Sequence, residues 1–190
     1  INEIKICACG TSYHAGLASS YLFERLSKIK CSVEVASEFR YKEPFLNPNS
    51  LFVVISQSGE TADTLEALKI AKNSNLKTLA ICNVDNSSIV RMAKEVLLTR
   101  AGIEKGVAST KAFATQMICL WMLALKLAKI RGTISATTLQ DEINALRNIP
   151  SVVNFDKSLQ EKIYRKAKHY VHGHGFFFIG RDIFYPLALE

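Results

Sequence analysis

Short, continuously apolar runs alternate along the chain with longer segments whose apolar residues recur every three or four positions, so strands and helices are predicted in turn. Ile4 to Cys9, Ser32 to Ala36, Leu51 to Ser56, Thr78 to Cys82 and Val96 to Thr99 do not alternate in polarity, which suits five strands of a parallel sheet covered on both faces. Between them, Leu17, Tyr21, Leu22, Leu26 and Ile29 predict a helix over Tyr13 to Ile29, and Leu65, Leu68 and Ala71 one over Thr61 to Lys72. A short helix is expected at Ser88 to Ala93. A long one, Ser109 to Ile130, would turn Phe113, Met117, Leu120 and Ala124 to the core.

After Arg131-Gly132-Thr133 the pattern becomes polar, with helices expected at Ala136 to Asn148 and Asp156 to His169 and a break at Ile149-Pro150, because proline disfavours helix continuation. Phe176-Phe177-Phe178-Ile179-Gly180 then reads as a new buried strand, followed by the apolar start of a helix reaching Glu190. The organisation expected is a ligand-binding domain over 1–133, connecting helices over 134–169 and the start of a second α/β unit over 170–190.

Composition narrows the function classes. The 190 residues are 48% apolar, enough for a sizeable core. The uncharged run from Ala112 to Leu125 is shorter than the roughly 18 to 20 residues of a bilayer span, so a core helix and no membrane partner are expected. The start, Ile1-Asn2-Glu3-Ile4-Lys5, has no feature of a secretory signal. An odd set of five cysteines, mostly within apolar runs, fits buried free thiols in a cytoplasmic protein rather than a disulfide framework. The net charge of +7 is spread, and its densest patch, Lys162, Arg165, Lys166 and Lys168, lies beside Glu161 without interleaved aromatics. No nucleic acid is expected, while a positive field favours anionic metabolites.

Chemistry concentrates where strands give way to helices. Parallel sheets of this kind bind ligands beyond the carboxyl ends of their strands. Cys9-Gly10-Thr11-Ser12 closes the first strand, with a glycine for close backbone approach and two hydroxyls at a helix start. Ser56-Gln57-Ser58-Gly59-Glu60-Thr61 follows the third strand with three hydroxyls and an amide. A helix N-terminus supplies free N–H donors and positive partial charge, so a phosphate can sit there without an arginine. Charge-assisted hydrogen bonds contribute about 1.5–3 kcal/mol each, and a handful leaves micromolar to millimolar affinity once the cost of association is met. Ser58 or Thr61 alone could be a helix cap; four polar positions after a wholly apolar strand exceed what capping needs. The spacing matches neither GxxxxGK[ST] nor GxGxxG, which weakens a nucleotide reading. A third loop, Glu104 to Lys111, adds Ser109 and Thr110, with Lys105 and Lys111 read as surface lysines. His14 has no evident carboxylate partner, and His169, His172 and His174 lack metal-ligand spacing, so neither a metal nor a cofactor is expected.

These loops resemble the sugar isomerase (SIS) domain family. The matching segments are Cys9 to Tyr13, Ala36-Ser37-Glu38-Phe39-Arg40-Tyr41, Ser56 to Thr64, Leu79 to Val84 and Gly106 to Phe113. The second and last of these are similar to the branch of the family that aminates and isomerises fructose 6-phosphate with glutamine as the ammonia source, giving glucosamine 6-phosphate for hexosamine synthesis. The resemblance implies a flavodoxin-like three-layer αβα sandwich. It implies that Ser56, Gln57, Ser58 and Thr61 hold the sugar phosphate, Ser58 and Thr61 at the phosphate itself, and that Thr11, Ser12, Val107 and Ser109 line the sugar. It further implies fructose 6-phosphate or glucosamine 6-phosphate as ligand, no metal or organic cofactor, a homodimer, and a glutaminase domain in the intact enzyme. The family's isomerising glutamate, ring-opening histidine and C-terminal lysine would fall beyond Glu190, so no catalytic residue is assigned to this chain and it is expected to bind without turning over. The competing reading is a non-catalytic module that senses sugar phosphates for a regulator.

Overall fold

A computed structural model describes residues 1–106 and 109–190. Five strands, β1 (Glu3–Ala8), β2 (Lys30–Val35), β3 (Ser50–Ser56), β4 (Lys77–Cys82) and β5 (Glu95–Leu98), form one sheet in the order β2-β1-β3-β4-β5. Every pairing is parallel, with Ile6 opposite both Val33 and Val53, and Val54 opposite Ala80. Each strand lies within two residues of its predicted position.

Side chains alternate between the two faces of the sheet, and both faces are buried. Ile4, Ile6 and Ala8 of β1 join Leu51, Val53 and Ile55 of β3 in one core. Cys7, Phe52, Val54 and Ala80 point the other way into a second. This explains why β3 reads as an unbroken apolar run: all seven of its residues are buried. The first core is covered by α1 (Gly10–Leu22) and α5 (Lys111–Arg131), and the second by α2 (Ala36–Phe39), α3 (Ala62–Asn73) and α4 (Ser88–Met92). The three-layer sandwich is therefore as expected. Gly16 sets the position of α1, since a Cβ there would stand 3.0 Å from Ile6 Cγ2 and 3.1 Å from Val33 Cγ1. Burial pushes the thiols of Cys7 and Cys31 up to about 12, as suits cysteines used for packing.

Several expectations are corrected. The first long helix gives way after Leu22 to a π-helical turn, Phe23–Ser27, ending at Lys28 with φ 53°. Ala36–Phe39 is a short helix that the pattern did not indicate. The core stripe of α5 runs through Ala112, Gln116, Cys119, Leu120, Ala124 and Ala128, leaving Phe113 and Met117 half-buried. By length and composition α5 could cross a membrane, but here its stripe packs into the first core. Gly132, at φ 65°, ends it in a left-handed cap.

Pro150 does not end its helix: α6 spans Ala136–Val152. No residue of α6 is buried, so the carbonyl that proline leaves without its N–H partner falls on an exposed helix. Leu139 and Leu146 lean on the first core, and Trp121 Nε1 donates to Glu142 Oε2 at 2.9 Å. Asp156 caps α7 (Lys157–His169) by accepting the Leu159 N–H at 2.7 Å. Phe176 to Ile179 is not a strand. Phe177 and Ile179 are almost fully exposed, because no neighbouring strand offers the ladder that a single extended segment needs. A last helix, α8 (Phe184–Leu189), packs on α1.

Candidate functional site

The sheet order reverses direction at β1 and β3: from β1 the chain moves outward to β2, then returns to the other side and continues through β3, β4 and β5. The loops leaving β1 and β3 therefore diverge to opposite faces and leave a crevice between them, the place where open α/β sheets bind ligands. Ser56, the last residue of β3, and Cys9, just beyond β1, mark its base.

A cavity of about 160 Å³ occupies this crevice, and Thr11, Ser12, Ser56, Gln57, Ser58, Thr61 and Ser109 all contribute to its wall. Seven of the eight predicted site residues thus come together from three separate loops. The eighth, Val107, lies outside the described residues. Larger hollows exist, such as the one beside Ile163, Tyr170 and Phe176, but that wall is almost wholly apolar and has no convergent hydroxyls. Chemistry, not size, selects the crevice.

The Ser56–Thr61 loop is held by its own hydroxyls, which accept its backbone N–H groups. Gly59 takes φ +70° and its N–H donates to Ser56 Oγ at 2.9 Å. The Glu60 N–H donates to Ser58 Oγ at 3.2 Å, and Ser56 Oγ lies 3.3 Å from Thr61 Oγ1. On the outer side the Gly59 carbonyl accepts the Ile89 N–H at 3.0 Å, and Glu60 Oε1 accepts the Ser88 N–H at 2.8 Å. The loop is consequently pinned to the start of α4. The Ser88 backbone donor holds the Glu60 carboxyl below its ordinary range, so that carboxylate is charged and engaged away from the cavity.

Thr61 stands at the N-cap position of α3, yet its side chain makes no capping hydrogen bond. The first N–H groups of α3 therefore have neither an intrahelical acceptor nor the usual hydroxyl, and Thr61 belongs to the cavity wall. Thr61 therefore does not act as a side-chain cap of α3. The acid in the first turn of α3, Asp63, is occupied by Arg40, whose Nη1 lies 2.6 Å from Asp63 Oδ1. That bond raises the Arg40 pKa and neutralises the one carboxylate that would oppose an anion at this helix end.

The third loop behaves differently. Glu104, not Ser109 or Thr110, serves the N-terminus of α5, accepting the N–H groups of Thr110 at 3.4 Å and Ala112 at 3.3 Å. Burial pushes the Glu104 carboxyl up, but the Ala112 and Thr110 donors outweigh it and hold the group below its ordinary range. A carboxylate thus already occupies that helix end, whereas the start of α3 has no side-chain cap. Lys105 and Lys111 are exposed and form no part of the cavity wall.

Sequence reasoning missed a partner of the first loop. Glu190, adjoining α8, lies with Oε1 2.5 Å from Thr11 Oγ1 and Oε2 2.7 Å from His14 Nδ1. His14 thus does have a carboxylate beside it, in a residue 176 positions away that no local pattern could reveal. Thr64 and Gln116 also belong to the cavity wall. The available signals were a threonine one helical turn after Thr61, and a lone amide on the buried face of an apolar helix. Among the described residues, no group of three or more His, Cys, Asp or Glu is arranged to hold a metal.

A five-stranded parallel α/β sandwich with hydroxyl-rich loops and an uncapped helix N-terminus at its topological switch point defines a domain of the flavodoxin-like type. The chain belongs to the SIS domain family, whose profile matches residues 1–126. It is 65% identical over 191 aligned positions to the glutamine–fructose-6-phosphate aminotransferase [isomerizing] of Campylobacter jejuni, covering all of this chain and 31% of that protein. The Helicobacter pylori protein of the same name is 54% identical, again over all of this chain and 32% of its own length. Among solved structures, the C-terminal domain of glucosamine-fructose-6-phosphate aminotransferase from Francisella tularensis superposes with a TM-score of 0.94 at 42% identity, over 98% of this chain and 53% of that one. The chain therefore spans about a third of the curated relatives it matches.

Proposed function

We propose that this chain binds fructose 6-phosphate or glucosamine 6-phosphate as the sugar-phosphate unit of a glutamine-fructose-6-phosphate aminotransferase. The observation that carries the reading is the uncapped start of α3, where Ser56, Ser58 and Thr61 converge beside Thr11 and Ser12 across the switch point. N–H groups and hydroxyls supply donors for the phosphate, and no lysine or arginine is among the cavity's residues. Engagement of Glu60 by Ser88 and of Asp63 by Arg40 occupies the carboxylates that flank the start of α3. The names of the aligned relatives supply the sugar.

In this reading the chain's part in the reaction is binding and orientation. Ammonia release from glutamine belongs to a glutaminase domain of the intact enzyme, and the proton transfer that isomerises the sugar to residues that follow Glu190. The product feeds hexosamine synthesis, in the cytoplasm, from a homodimer, with no nucleic-acid or membrane partner.

Calorimetric titration with fructose 6-phosphate tests the reading. The native chain is expected to bind saturably in the micromolar to millimolar range, and Ser58→Ala about tenfold or more weakly, the loss of one charge-assisted hydrogen bond. Equal affinity in the two proteins would remove Ser58 from the phosphate site.

A further inference from the structure

Four buried side-chain polar atoms lack a hydrogen-bond partner among the described residues: Ser19 Oγ, Ser32 Oγ, Thr64 Oγ1 and Gln116 Oε1. Two of them, Thr64 and Gln116, belong to the wall of the crevice, and they are 1% and 2% exposed. Ser19 and Ser32 do not. Buried polar groups are almost always paired, because an unpaired one forfeits its hydration without compensation. Two such groups meeting at one cavity, contributed by α3 and α5 from opposite faces of the sheet, form an unsatisfied polar floor.

We infer that Gln116 and Thr64 bind the hydroxyl groups of the ligand's sugar, so that the cavity recognises a phosphorylated polyol rather than phosphate alone. The inference rests on the sugar-phosphate reading above and adds two residues to it. Donor and acceptor chemistry separates the two ends of the ligand. A phosphate offers acceptors, which suit the N–H groups at the start of α3 and the hydroxyls of Ser58 and Thr61. An amide carbonyl such as Gln116 Oε1 is itself an acceptor and requires a donor, which a sugar hydroxyl provides and a phosphate dianion does not. The Thr64 hydroxyl can donate or accept and completes the pair. The cavity, about 160 Å³, is several times the roughly 30 Å³ share of one water molecule, so it takes a substantial part of a ligand.

The sequence context agrees. Gln116 stands in the buried stripe of α5 between Ala112 and Leu120, where every other member is apolar. An amide at a core position of an otherwise apolar helix costs stability unless something binds it. Such local conflict between sequence and fold marks functional positions.

The experiment uses Thr64→Val and Gln116→Leu, which keep most of each side chain's bulk and remove its polar atoms, and compares them with the native chain. Calorimetry measures the affinity for fructose 6-phosphate and, separately, for inorganic phosphate; a thermal scan without ligand measures stability. Each substitution is expected to weaken fructose 6-phosphate binding by about three- to tenfold while leaving phosphate affinity unchanged. The thermal midpoint should stay the same or rise, since an unpaired buried polar group has been removed. A lowered midpoint would make Thr64 and Gln116 packing residues and overturn the inference. So would unchanged fructose 6-phosphate affinity, or an equal loss for both ligands, which would signal a distorted phosphate loop. If the native chain binds neither ligand, the sugar-phosphate reading fails and this inference with it.

Discussion

Replacing Gly59 by alanine is expected to abolish measurable sugar-phosphate binding and to lower the thermal midpoint by about 10 °C, at about 2–4 °C per kcal/mol for a chain of this size. Two separable effects combine. Gly59 sits at φ +70°, where an L-residue costs about 1–2 kcal/mol. A Cβ there would also stand 2.0 Å from Ser87 Oγ and 2.8 Å from Cys82 Sγ. The loop must then withdraw from α4, and overpacking of this kind costs about 1–3 kcal/mol. Withdrawal breaks the Ser56 Oγ and Ile89 N–H bonds that shape the cradle. Gly102→Ala is the control: Gly102 has nearly the same φ, +73°, but open space where a Cβ would go. Thermal scans should therefore give Gly102→Ala a much smaller loss, with sugar-phosphate affinity retained. Equal effects of the two substitutions would contradict the packing account.

Ser56→Ala is expected to act on binding and stability together. Ser56 is buried, and its hydroxyl accepts the N–H of the equally buried Gly59 while lying 3.3 Å from Thr61 Oγ1. Removing it strands a buried donor, at about 1–3 kcal/mol, and takes one hydroxyl from the cavity wall. Urea denaturation should show that loss of stability, and calorimetry a drop in fructose 6-phosphate affinity of about ten- to a hundredfold. Unaltered affinity alongside the stability loss would confine Ser56 to a structural part. It would leave Ser58 and Thr61 as the ligand-facing hydroxyls.

The contrast between Gly59 and Gly102 also marks what the sequence can convey. The Ser-Gln-Ser-Gly-Glu-Thr run was legible as a loop because a fully buried parallel strand is a continuous apolar stretch with a sharp polar end. The same property gave all five strands to within two residues. What the loop presses against was not legible. Ser88 and Ile89 of α4 hold it, just as Arg40 holds Asp63 and Glu190 meets Thr11 and His14. Such pairs are fixed by topology, and local periodicity has no record of them.

The misreadings have related causes. Phe176 to Ile179 has the composition of a buried strand, but a strand exists only beside a partner, and these residues are exposed. Phe113 and Met117 fit a helical spacing as well as Ala112 and Gln116 do. Periodicity locates a stripe; packing against α1 and β4 decides which stripe faces inward, and it selected the small residue and the amide. Glu104 was passed over as a cap because it precedes its helix by a longer loop than a local capping motif spans.

The most direct test of the account is an NMR titration of the ¹⁵N-labelled chain with inorganic phosphate, which asks where an anion goes when no sugar guides it. The account predicts saturable shifts concentrated at the amides of Ser58, Gly59, Glu60 and Thr61 and in the first turn of α3. Shifts centred instead on the basic helix face of Lys162, Arg165, Lys166 and Lys168, or spread over the surface without saturation, would contradict it.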